Sequence, residues 1–324
     1  MTEATSITET PVFSHYSVMR TECIDGLHIA GDGVYVDCTL GGGGHSLEIA
    51  KRLTGNGRLI CIDQDMTAIR AASKVLAPYS DRITFVHDNF SNIRRILDDC
   101  GVDFVMGALI DLGVSSYQLD TPERGFSYQH DAPLDMRMNP ENPRSAYDIV
   151  NGAPFEELRR IITDYGEERF ANSIAKNIVR ARETHPIETT FALADIVKSS
   201  IPAKNRQEGG HPAKRTFQAI RIAVNDELSI IAPTVKSLIE VLAPGGRLCV
   251  LTFHSLEDRI VKQTYQEESR GCTCPPDFPV CVCGKKPKIR ILTKKPITAS
   301  DEELAENNRS HSAKLRICEK LSSV

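Results

Sequence analysis

The sequence predicts an α/β fold in which a doubly wound parallel sheet is interrupted by an inserted all-helical domain. Short apolar runs alternate with segments of helical periodicity over residues 34–111, and the alternation resumes after residue 214. Between Ser115 and about Ala213 no strand is convincing, and helical spacing predominates. Strands that are apolar along their whole length are typical of parallel sheets covered by helices on both faces.

Four strands are predicted before the interruption, and helices connect them. An apolar strand that ends at a turn and is followed by helical spacing forms a βαβ unit with the next strand. The predicted strands are Val34–Asp37, Arg58–Ile62, Ile83–His87 and Val102–Asp111, and the helices between them are His45–Leu53, Asp65–Ala77 and Ser91–Asp99.

Helical segments form the predicted insertion, and a stretch rich in Gly, Pro and charge, residues 201–212, separates them from the last third of the chain. After this stretch we predict a helical region that Pro233 divides, then a fifth strand and a last helix; these span Arg215–Leu242, Gly245–Phe253 and Ser255–Ser269. The helices of the insertion are Ala146–Asn151, Phe155–Asp164, Glu167–Glu183 and Thr190–Ser200. We therefore expect residues 14–114 and 214–324 to form one discontinuous domain, into which residues 115–213 are inserted as a substrate-recognition domain.

The composition is that of an ordinary globular protein and excludes several classes. Of 324 residues, 41% are hydrophobic and 25% are charged, unlike collagen-like or disordered chains. The 39 Lys and Arg against 43 Asp and Glu give a net charge of −4, which excludes a uniformly basic protein that coats nucleic acid. The charge is uneven, because residues 285–324 carry a net +5. Since the start of the chain is polar and no apolar run reaches about 18 residues, we expect a cytoplasmic protein without a membrane span.

A glycine-rich loop follows the first predicted strand, in the sequence Asp37-Cys-Thr-Leu-Gly-Gly-Gly-Gly44. Glycines let the backbone adopt positive φ and approach a ligand closely, and the helix after the loop offers free N–H groups. Asp63 ends the second strand, where its carboxylate can accept hydrogen bonds from both hydroxyls of a ribose. The pattern predicts a cofactor that contains a nucleoside.

Two cofactor classes use this geometry. A dinucleotide site requires G-x-G-x-x-G, but Ser46 stands where the third glycine should be, and Asp37 would repel a pyrophosphate. S-adenosylmethionine carries a sulfonium and an ammonium cation, which carboxylates at Asp37 and Asp111 would attract. Asp111 ends the fourth strand, at the edge of the sheet where open α/β folds bind ligands. The sequence therefore favours S-adenosylmethionine over NAD.

Two further residues near that edge have more than one interpretation. Phe90 follows the third strand and either packs on an adenine face or belongs to the core. His254 follows the fifth strand and either orients a substrate, shuttles a proton or is a structural histidine. Both are kept as candidates, Phe90 for the cofactor and His254 for catalysis.

Four of the ten cysteines, Cys272, Cys274, Cys281 and Cys283, form the pattern C-x-C-x6-C-x-C. Four thiolates so close together could bind a structural zinc ion tetrahedrally, although zinc sites usually have C-x-x-C spacing. Reduced thiols in a loop, or a redox pair, are the alternatives. The other six cysteines are scattered, mostly in apolar stretches, as buried reduced thiols would be.

Two groups of basic residues are candidate contacts for nucleic-acid phosphates, although each is also consistent with a solvated surface. One is the run Lys285–Lys295, which has six positive charges and no acidic residue. The other flanks the predicted domain junction and comprises Lys204, Arg206, Lys214, Arg215 and Arg221.

Several motifs, taken in order along the chain, resemble one family in particular. They are His15-Tyr-Ser-Val, Asp37-Cys-Thr-Leu-Gly-Gly-Gly-Gly-His45, Asp111-Leu-Gly-Val-Ser-Ser-Tyr-Gln118, Glu123-Arg-Gly-Phe-Ser127, Pro133-Leu-Asp-Met-Arg-Met138, Tyr165-Gly-Glu-Glu-Arg-Phe170, His211-Pro-Ala-Lys-Arg-Thr-Phe-Gln-Ala219 and Phe253-His-Ser-Leu-Glu-Asp-Arg259. Over roughly residues 14–320 the chain resembles the ribosomal small-subunit RNA methyltransferase H (RsmH, formerly MraW) family.

The resemblance implies a class I (Rossmann-like) methyltransferase sheet with an inserted helical domain. The implied reaction transfers a methyl group from S-adenosylmethionine to the exocyclic N4 of cytidine 1402 in 16S ribosomal RNA, a partner that we expect to be presented within the small ribosomal subunit. The donor-binding residues that it implies are Gly43, Gly44, His45, Asp63, Phe90, Asp111 and Gln118.

The chemistry of the acceptor points to direct transfer. No cysteine follows a proline, which argues against the covalent mechanism of pyrimidine C5 methylation. We expect Asp111, or a backbone carbonyl of Leu112–Val114, to accept the N4 proton. A binding protein for ribosome assembly and an NAD-dependent enzyme are the alternative functions.

Overall fold

The predicted sheet is present, and it has two more strands than the sequence indicates. The structure, a computed structural model, describes residues 17–206, 210–272, 274 and 282–322, and within them seven strands form one sheet. In chain order these are β1 (Val34–Asp37), β2 (Arg58–Asp63), β3 (Ile83–His87), β4 (Val105–Asp111), β5 (Leu242–Thr252), β6 (Ile289–Ile291) and β7 (Lys314–Lys320). Across the sheet the order is β3-β2-β1-β4-β5-β7-β6. The strands β1 to β5 are parallel, and β7 is antiparallel to both β5 and β6.

Helices cover the sheet and form the insertion between β4 and β5, so the predicted fold class is confirmed. Before the insertion lie α1 (Arg20–Leu27), α2 (Gly44–Ala50), α3 (Met66–Val75), α4 (Ile93–Asp99) and α5 (Ser116–Asp120). The insertion contains α6 (Ala146–Gly152), α7 (Phe155–Asp164), α8 (Ala171–Arg182) and α9 (Thr190–Ser200). After it come α10 (Lys214–Asn225), α11 (Ile231–Val241), α12 (Ser255–Ser269) and α13 (Asp301–Glu306).

Alternate residues of each central strand pack on opposite faces of the sheet, as the period of two requires. In β4, Ala108 and Ile110 belong to one buried cluster, which includes side chains of α4, α11 and α12. Leu109 belongs to another, which includes side chains of α1, α2 and α3. A strand buried on both faces must be apolar throughout, which is why these strands are recognisable in the sequence.

The helical insertion has a buried apolar cluster of its own, and α10 contributes to it. Ile149, Leu158 and Ile174 come from α6, α7 and α8, and they are joined by Phe217 and Ile220 of α10. Although α10 follows residue 213, its apolar face therefore packs with the insertion. The domain limits stay a prediction, and the packing of α10 with α6 and α7 does not follow the predicted limit at residue 213.

A polar contact also holds the insertion against α12. Glu167 lies between α7 and α8 with a left-handed backbone, at φ 47°. Its carboxylate accepts hydrogen bonds from Ser255 Oγ at 2.6 Å and from Arg259 Nη2 at 3.2 Å. These bonds fix the insertion over the end of β5, next to the carboxyl edge of the sheet.

One predicted boundary differs from the structure for a clear physical reason. The helical region after residue 214 is divided at Asp226–Ile230, before Pro233 rather than at it. Asp226 has a left-handed backbone, at φ 50°, and ends α10. Pro233 is the third residue of α11, where the backbone N–H has no partner within the helix and proline is tolerated.

Across the described ranges of the chain, no helix is both long enough and apolar enough to pass through a bilayer.

Candidate functional site

A cleft of about 420 Å³ opens at the carboxyl edge of the sheet. Its walls come from the loops after β1, β2, β3, β4 and β5 and from one side of α10. This is where open α/β sheets bind ligands, and the volume is in the range of small-molecule pockets. Of the predicted site residues, the cleft is lined by Gly44, His45, Asp63, Phe90, Asp111, Gln118 and His254.

The glycine loop forms one wall of the cleft. Gly41 and Gly43 have left-handed backbones, at φ 49° and 80°. The Gly41 N–H donates to Asp63 Oδ2 at 2.8 Å, which ties the loop to the end of β2. Gly43 does not line the cleft; a Cβ atom added to it would lie 3.1 Å from the Cβ of Ala72 on α3. The donor-binding role of Gly43 stays a prediction, and its visible role is close packing of the loop on α3.

The Asp63 carboxylate faces the cleft and also organises the backbone around it. Its oxygens accept the N–H groups of Gly41 and Asp65, each at 2.8 Å. Each carboxylate oxygen has a further lone pair, so hydroxyl donors can still bind. Burial raises the pKa of Asp63 to about 6, although the two N–H donors oppose that rise.

Asp37 does not face the cleft directly, although the sequence suggested that it would. Its side chain is buried beneath the glycine loop and does not line the cleft. Oδ2 accepts the Ser46 hydroxyl at 2.6 Å, and Oδ1 accepts the Thr39 N–H at 3.1 Å. Asp37 can influence a bound cation through space, but its direct contacts hold the loop and the start of α2.

Asp111 places an unsatisfied acceptor at the cleft. Its Oδ1 is buried and has no hydrogen-bond partner among the described residues, while the side chain as a whole is 27% exposed. Burial, together with the nearby carboxylates of Asp37 and Glu257, raises the pKa of Asp111 to about 8. A buried acceptor without a partner is unfavourable unless a ligand supplies a donor or a positive charge.

His45 lies beside Asp111 and is also buried. Its Nε2 is 3.1 Å from the carbonyl oxygen of Val18, so a neutral ring carries its proton on Nε2 and leaves Nδ1 bare. Nδ1 is 3.8 Å from Asp111 Oδ2. Burial lowers the pKa of His45, and the pair is therefore not an ion pair near neutral pH in the ligand-free protein.

Gln118 is held by the protein through both ends of its amide. Its Oε1 accepts the Ser115 N–H at 3.0 Å, and its Nε2 donates to Asp65 Oδ2 at 3.3 Å. The first contact is half of a reciprocal cap at the start of α5. Gln118 and Phe90 both line the cleft, and their cofactor roles stay predictions.

Two pairs of largely buried side chains also line the cleft. The guanidinium of Arg221 on α10 binds both carboxylate oxygens of Glu227, at 2.9 and 2.8 Å. His254 caps α12, and its Nε2 lies 3.1 Å from Glu257 Oε1. Glu257 Oε2 accepts the Phe253 N–H at 2.7 Å, so the backbone at the end of β5 is fixed beside the cleft. The catalytic role of His254 stays a prediction.

A polar stripe on α10 also faces the cleft, and it was not predicted from the sequence. Lys214, Gln218, Arg221 and Asn225 all line the cleft. Their spacing of four, three and four residues places them on one face of a helix. Asn225 accepts the Met138 N–H at 2.7 Å and so holds the segment before α6. The helical period of these four polar residues could have revealed the stripe. The sequence prediction grouped only the basic residues of this region and therefore missed it.

Many basic residues after residue 285 are paired within the protein. Arg316 is buried and binds Asp258 at 2.7 Å, and Arg309 binds Asp120 at 2.6 Å. Lys288, Arg290 and Lys314 also form ion pairs with carboxylates. The net positive charge of this segment is therefore a weaker indication of phosphate binding than the sequence suggested.

Three of the four predicted metal ligands lie near one another, away from the cleft. The Sγ atoms of Cys272, Cys274 and Cys283 are within 4.8 Å of one another. Cys281 lies outside the described residues. None of the three lines the cleft.

The sheet order, with one antiparallel strand beside β5, and the acidic cleft at its carboxyl edge define the class of Rossmann-like methyltransferases. The chain belongs to the MraW methylase family, whose model matches residues 12–321. It is an S-adenosylmethionine-dependent methyltransferase.

Curated relatives are similar over nearly the whole chain. "Ribosomal RNA small subunit methyltransferase H" of Lachnospira eligens is 57% identical, over 95% of this chain and 98% of its own length. The protein of the same name from Brevibacillus brevis has the same identity and coverage. Likeness to solved structures is distant: a crystal structure of a "putative rRNA-methylase" from Clostridium thermocellum matches with a TM-score of 0.45 at 13% identity, covering 94% of this chain and 99% of that chain.

Proposed function

We propose that the protein methylates the exocyclic N4 of cytidine 1402 in 16S ribosomal RNA, presented in the small ribosomal subunit of the cytoplasm. The relatives named ribosomal RNA small subunit methyltransferase H, at 57% identity over 95% of the chain, support the RNA class. The chemistry of the cleft supports an exocyclic amine as the acceptor. The observation that carries the proposal is the buried, unpartnered Oδ1 of Asp111, as seen among the described residues.

The residues around the glycine loop fit a cationic donor. When bound, S-adenosylmethionine supplies an electrophilic methyl group on its sulfonium. Asp111 would stabilise the cationic groups of the donor, and Asp63 its hydroxyl groups. Burial raises the pKa of both carboxyl groups in the ligand-free protein. A bound cation or hydrogen-bond donor would favour their charged forms and so offset that effect of burial. Gly43 and Gly44 would shape the loop, and His45, Phe90 and Gln118 would complete the donor side.

Asp111 also suits the acceptor side of the reaction. The lone pair of cytosine N4 is delocalised into the ring, so N4 is a weak nucleophile in its planar form. A hydrogen bond from the amino group to a fixed acceptor favours the pyramidal nitrogen that attacks, and the same acceptor takes the proton that must leave N4. Asp111 Oδ1, or a backbone carbonyl of Leu112–Val114, would be this acceptor.

The far wall of the cleft would hold the base and its backbone. Lys214 and Gln218 extend from α10 into the cleft, and His254 lies at the end of β5. Reaching N4 in structured RNA requires the base to leave its stack, and a cleft walled by α10 can hold it. His254 would position the base, since its ring is held where it caps α12 and its Nδ1 accepts the Glu257 N–H at 3.5 Å.

The test is to incubate the protein with methyl-labelled S-adenosylmethionine and small subunits purified from cells without this activity. Naked 16S ribosomal RNA is the parallel substrate, and mass spectrometry of nuclease fragments locates the label. We expect label on N4 of one cytidine, at position 1402. Label on C5, on another nucleotide or on protein would overturn the proposal, as would tight subunit binding without any transfer.

A further inference from the structure

The connection between α12 and β6 forms a loop whose base is closed by the protein itself. The Lys288 N–H donates to the Glu268 carbonyl at 2.9 Å, and Lys288 Nζ lies 3.0 Å from Glu268 Oε2. Residues 268 and 288, at the two ends of this connection, are therefore held together, and we call them the neck. Cys272 and Cys283 lie just beyond that neck, one on each side.

The thiol groups beyond the neck converge on one point. The Sγ atoms of Cys272 and Cys283 are 3.7 Å apart, and the Sγ of Cys274 is within 4.8 Å of both. Two sulfurs bound to one tetrahedral zinc ion at about 2.3 Å lie about 3.8 Å apart. The spacing of Cys272 and Cys283 thus already matches one edge of a zinc–thiolate tetrahedron, and it is too long for a disulfide bond.

Backbone N–H groups also hold two of these sulfurs in position. The Cys274 N–H donates to Cys272 Sγ at 3.4 Å, and the Val282 N–H donates to Cys274 Sγ at 3.4 Å. These bonds fix the direction of the two side chains relative to the backbone. Gly284, directly after Cys283, has a left-handed backbone at φ 60° and lets the chain turn back toward the neck.

We propose that Cys272, Cys274 and Cys283 bind a zinc-class metal ion that closes the loop between α12 and β6. Cys272 and Cys283 are exposed, so an ion can enter from solvent. A tetrahedral ion would accept one more ligand besides the three thiolates. The metal would do for this loop what a disulfide does in a secreted protein, because it links Cys272 and Cys283, which are 11 residues apart in sequence, and restricts the chain between them. The site does not touch the cleft, so it is independent of the proposed reaction.

The first experiment measures metal in the full-length protein. We expect close to one equivalent of zinc per chain after purification in reducing buffer without chelator. Replacement of zinc by cobalt should give the near-ultraviolet thiolate-to-cobalt band and the intense visible bands of a tetrahedral site. Cys272→Ser and Cys283→Ser should lose the metal and both bands. Cys100→Ser, a change at another thiol that is only partly buried, should retain them.

The second experiment tests what the metal does. Trypsin should cut after Arg270 and Lys285, which flank the cysteines, more slowly in metal-loaded protein than in chelator-treated protein. Calorimetric binding of S-adenosylmethionine shows whether a variant is folded. A cysteine variant that binds the donor normally but holds no metal therefore supports the metal site, even if trypsin cuts its loop faster. The proposal is overturned if wild-type protein holds no metal before or after incubation with zinc. It is equally overturned if the cysteine variants keep the cobalt bands, or if anaerobically prepared protein contains a Cys272–Cys283 disulfide.

Discussion

The Oδ2 atom of Asp111 lies 3.8 Å from the Nδ1 atom of His45, and burial keeps both groups uncharged near neutral pH in the ligand-free protein. The arrangement leaves a carboxyl group that gains its charge only when a cation or a proton acceptor arrives. Asp111 lines the same cleft as the glycine loop and the polar stripe of α10. Its protonation state should therefore be visible in stability, in donor binding and in turnover.

Asp111 should make the ligand-free protein less stable as the pH rises. With a folded-state pKa of about 8 against an unfolded value of about 3.9, the folded state holds an extra proton between these values, so stability is greatest below about pH 4 for this group and is lost as the pH rises through 8. Asp111→Asn should remove that dependence. Denaturant unfolding of both proteins at several pH values between about 5 and 8 measures how the free energy of unfolding changes with pH. The slopes for the two proteins should differ by up to about 1.4 kcal/mol per pH unit. Parallel curves for the two proteins would show that Asp111 is ionised throughout.

Asp111→Asn should also reduce turnover far more than RNA affinity. Loss of a positioned proton acceptor typically costs about 100-fold or more in rate, whereas phosphate contacts that dominate RNA affinity are unchanged. Single-turnover methylation and filter binding with the same RNA separate the two effects. Asp103→Asn, which changes an exposed carboxylate outside the cleft, is the matched control. Equal losses in rate and affinity would assign Asp111 to substrate binding instead.

Donor binding should strengthen as the pH rises through about 6, because Asp63 ionises there and a carboxylate accepts hydroxyl hydrogen bonds better than a carboxyl group does. Calorimetry with S-adenosylmethionine at several pH values measures this. Asp63→Asn should flatten the dependence and weaken binding about 10-fold or more, since a charge-assisted hydrogen bond is worth about 1.5–3 kcal/mol. A variant that keeps the wild-type pH dependence would place the titrating group elsewhere.

Lys214→Ala should weaken RNA binding and lessen its salt dependence. Lys214 is exposed on the cleft-facing stripe of α10, where it can neutralise a phosphate. Removing one such contact lowers the slope of log affinity against log salt by about 1. Lys51→Ala, which removes an exposed lysine paired with Glu48, is the control and should leave the slope unchanged. If the two variants behave alike, α10 is not the RNA-binding wall.

The parallel strands could be predicted from the sequence because the pattern that marks them, a short apolar run between turns, is local. Val34–Asp37 and Ile83–His87 are predicted with the bounds that they have in the structure, since a short apolar run between turns has few other solutions. β7 was not predicted, because its charged residues are not typical of a buried strand. Arg316 is buried within it only because Asp258, on α12, neutralises the guanidinium. That pairing is tertiary and has no signature in the segment itself.

The candidate site was predictable to a similar degree. Asp63 and Asp111 were found because acids that end strands meet at one edge of the sheet. Their altered pKa values depend on burial and on Asp37, and for Asp111 also on Glu257, and no local pattern brings these groups together. Gln218 and Asn225 were missed because a polar residue on a helix usually faces water, and only the folded insertion turns this face of α10 toward the cleft.

The shared position of α10 has a mechanical consequence. The side of α10 that carries Phe217 and Ile220 packs into the core of the insertion, while the neighbouring side forms a wall of the cleft. If the insertion tilts, α10 must move with it, and so must the wall of the cleft that α10 forms. The width of the cleft is therefore coupled to the orientation of the insertion. A cavity made deep in the insertion, at Ile174 for example, should therefore change the shape of the cleft.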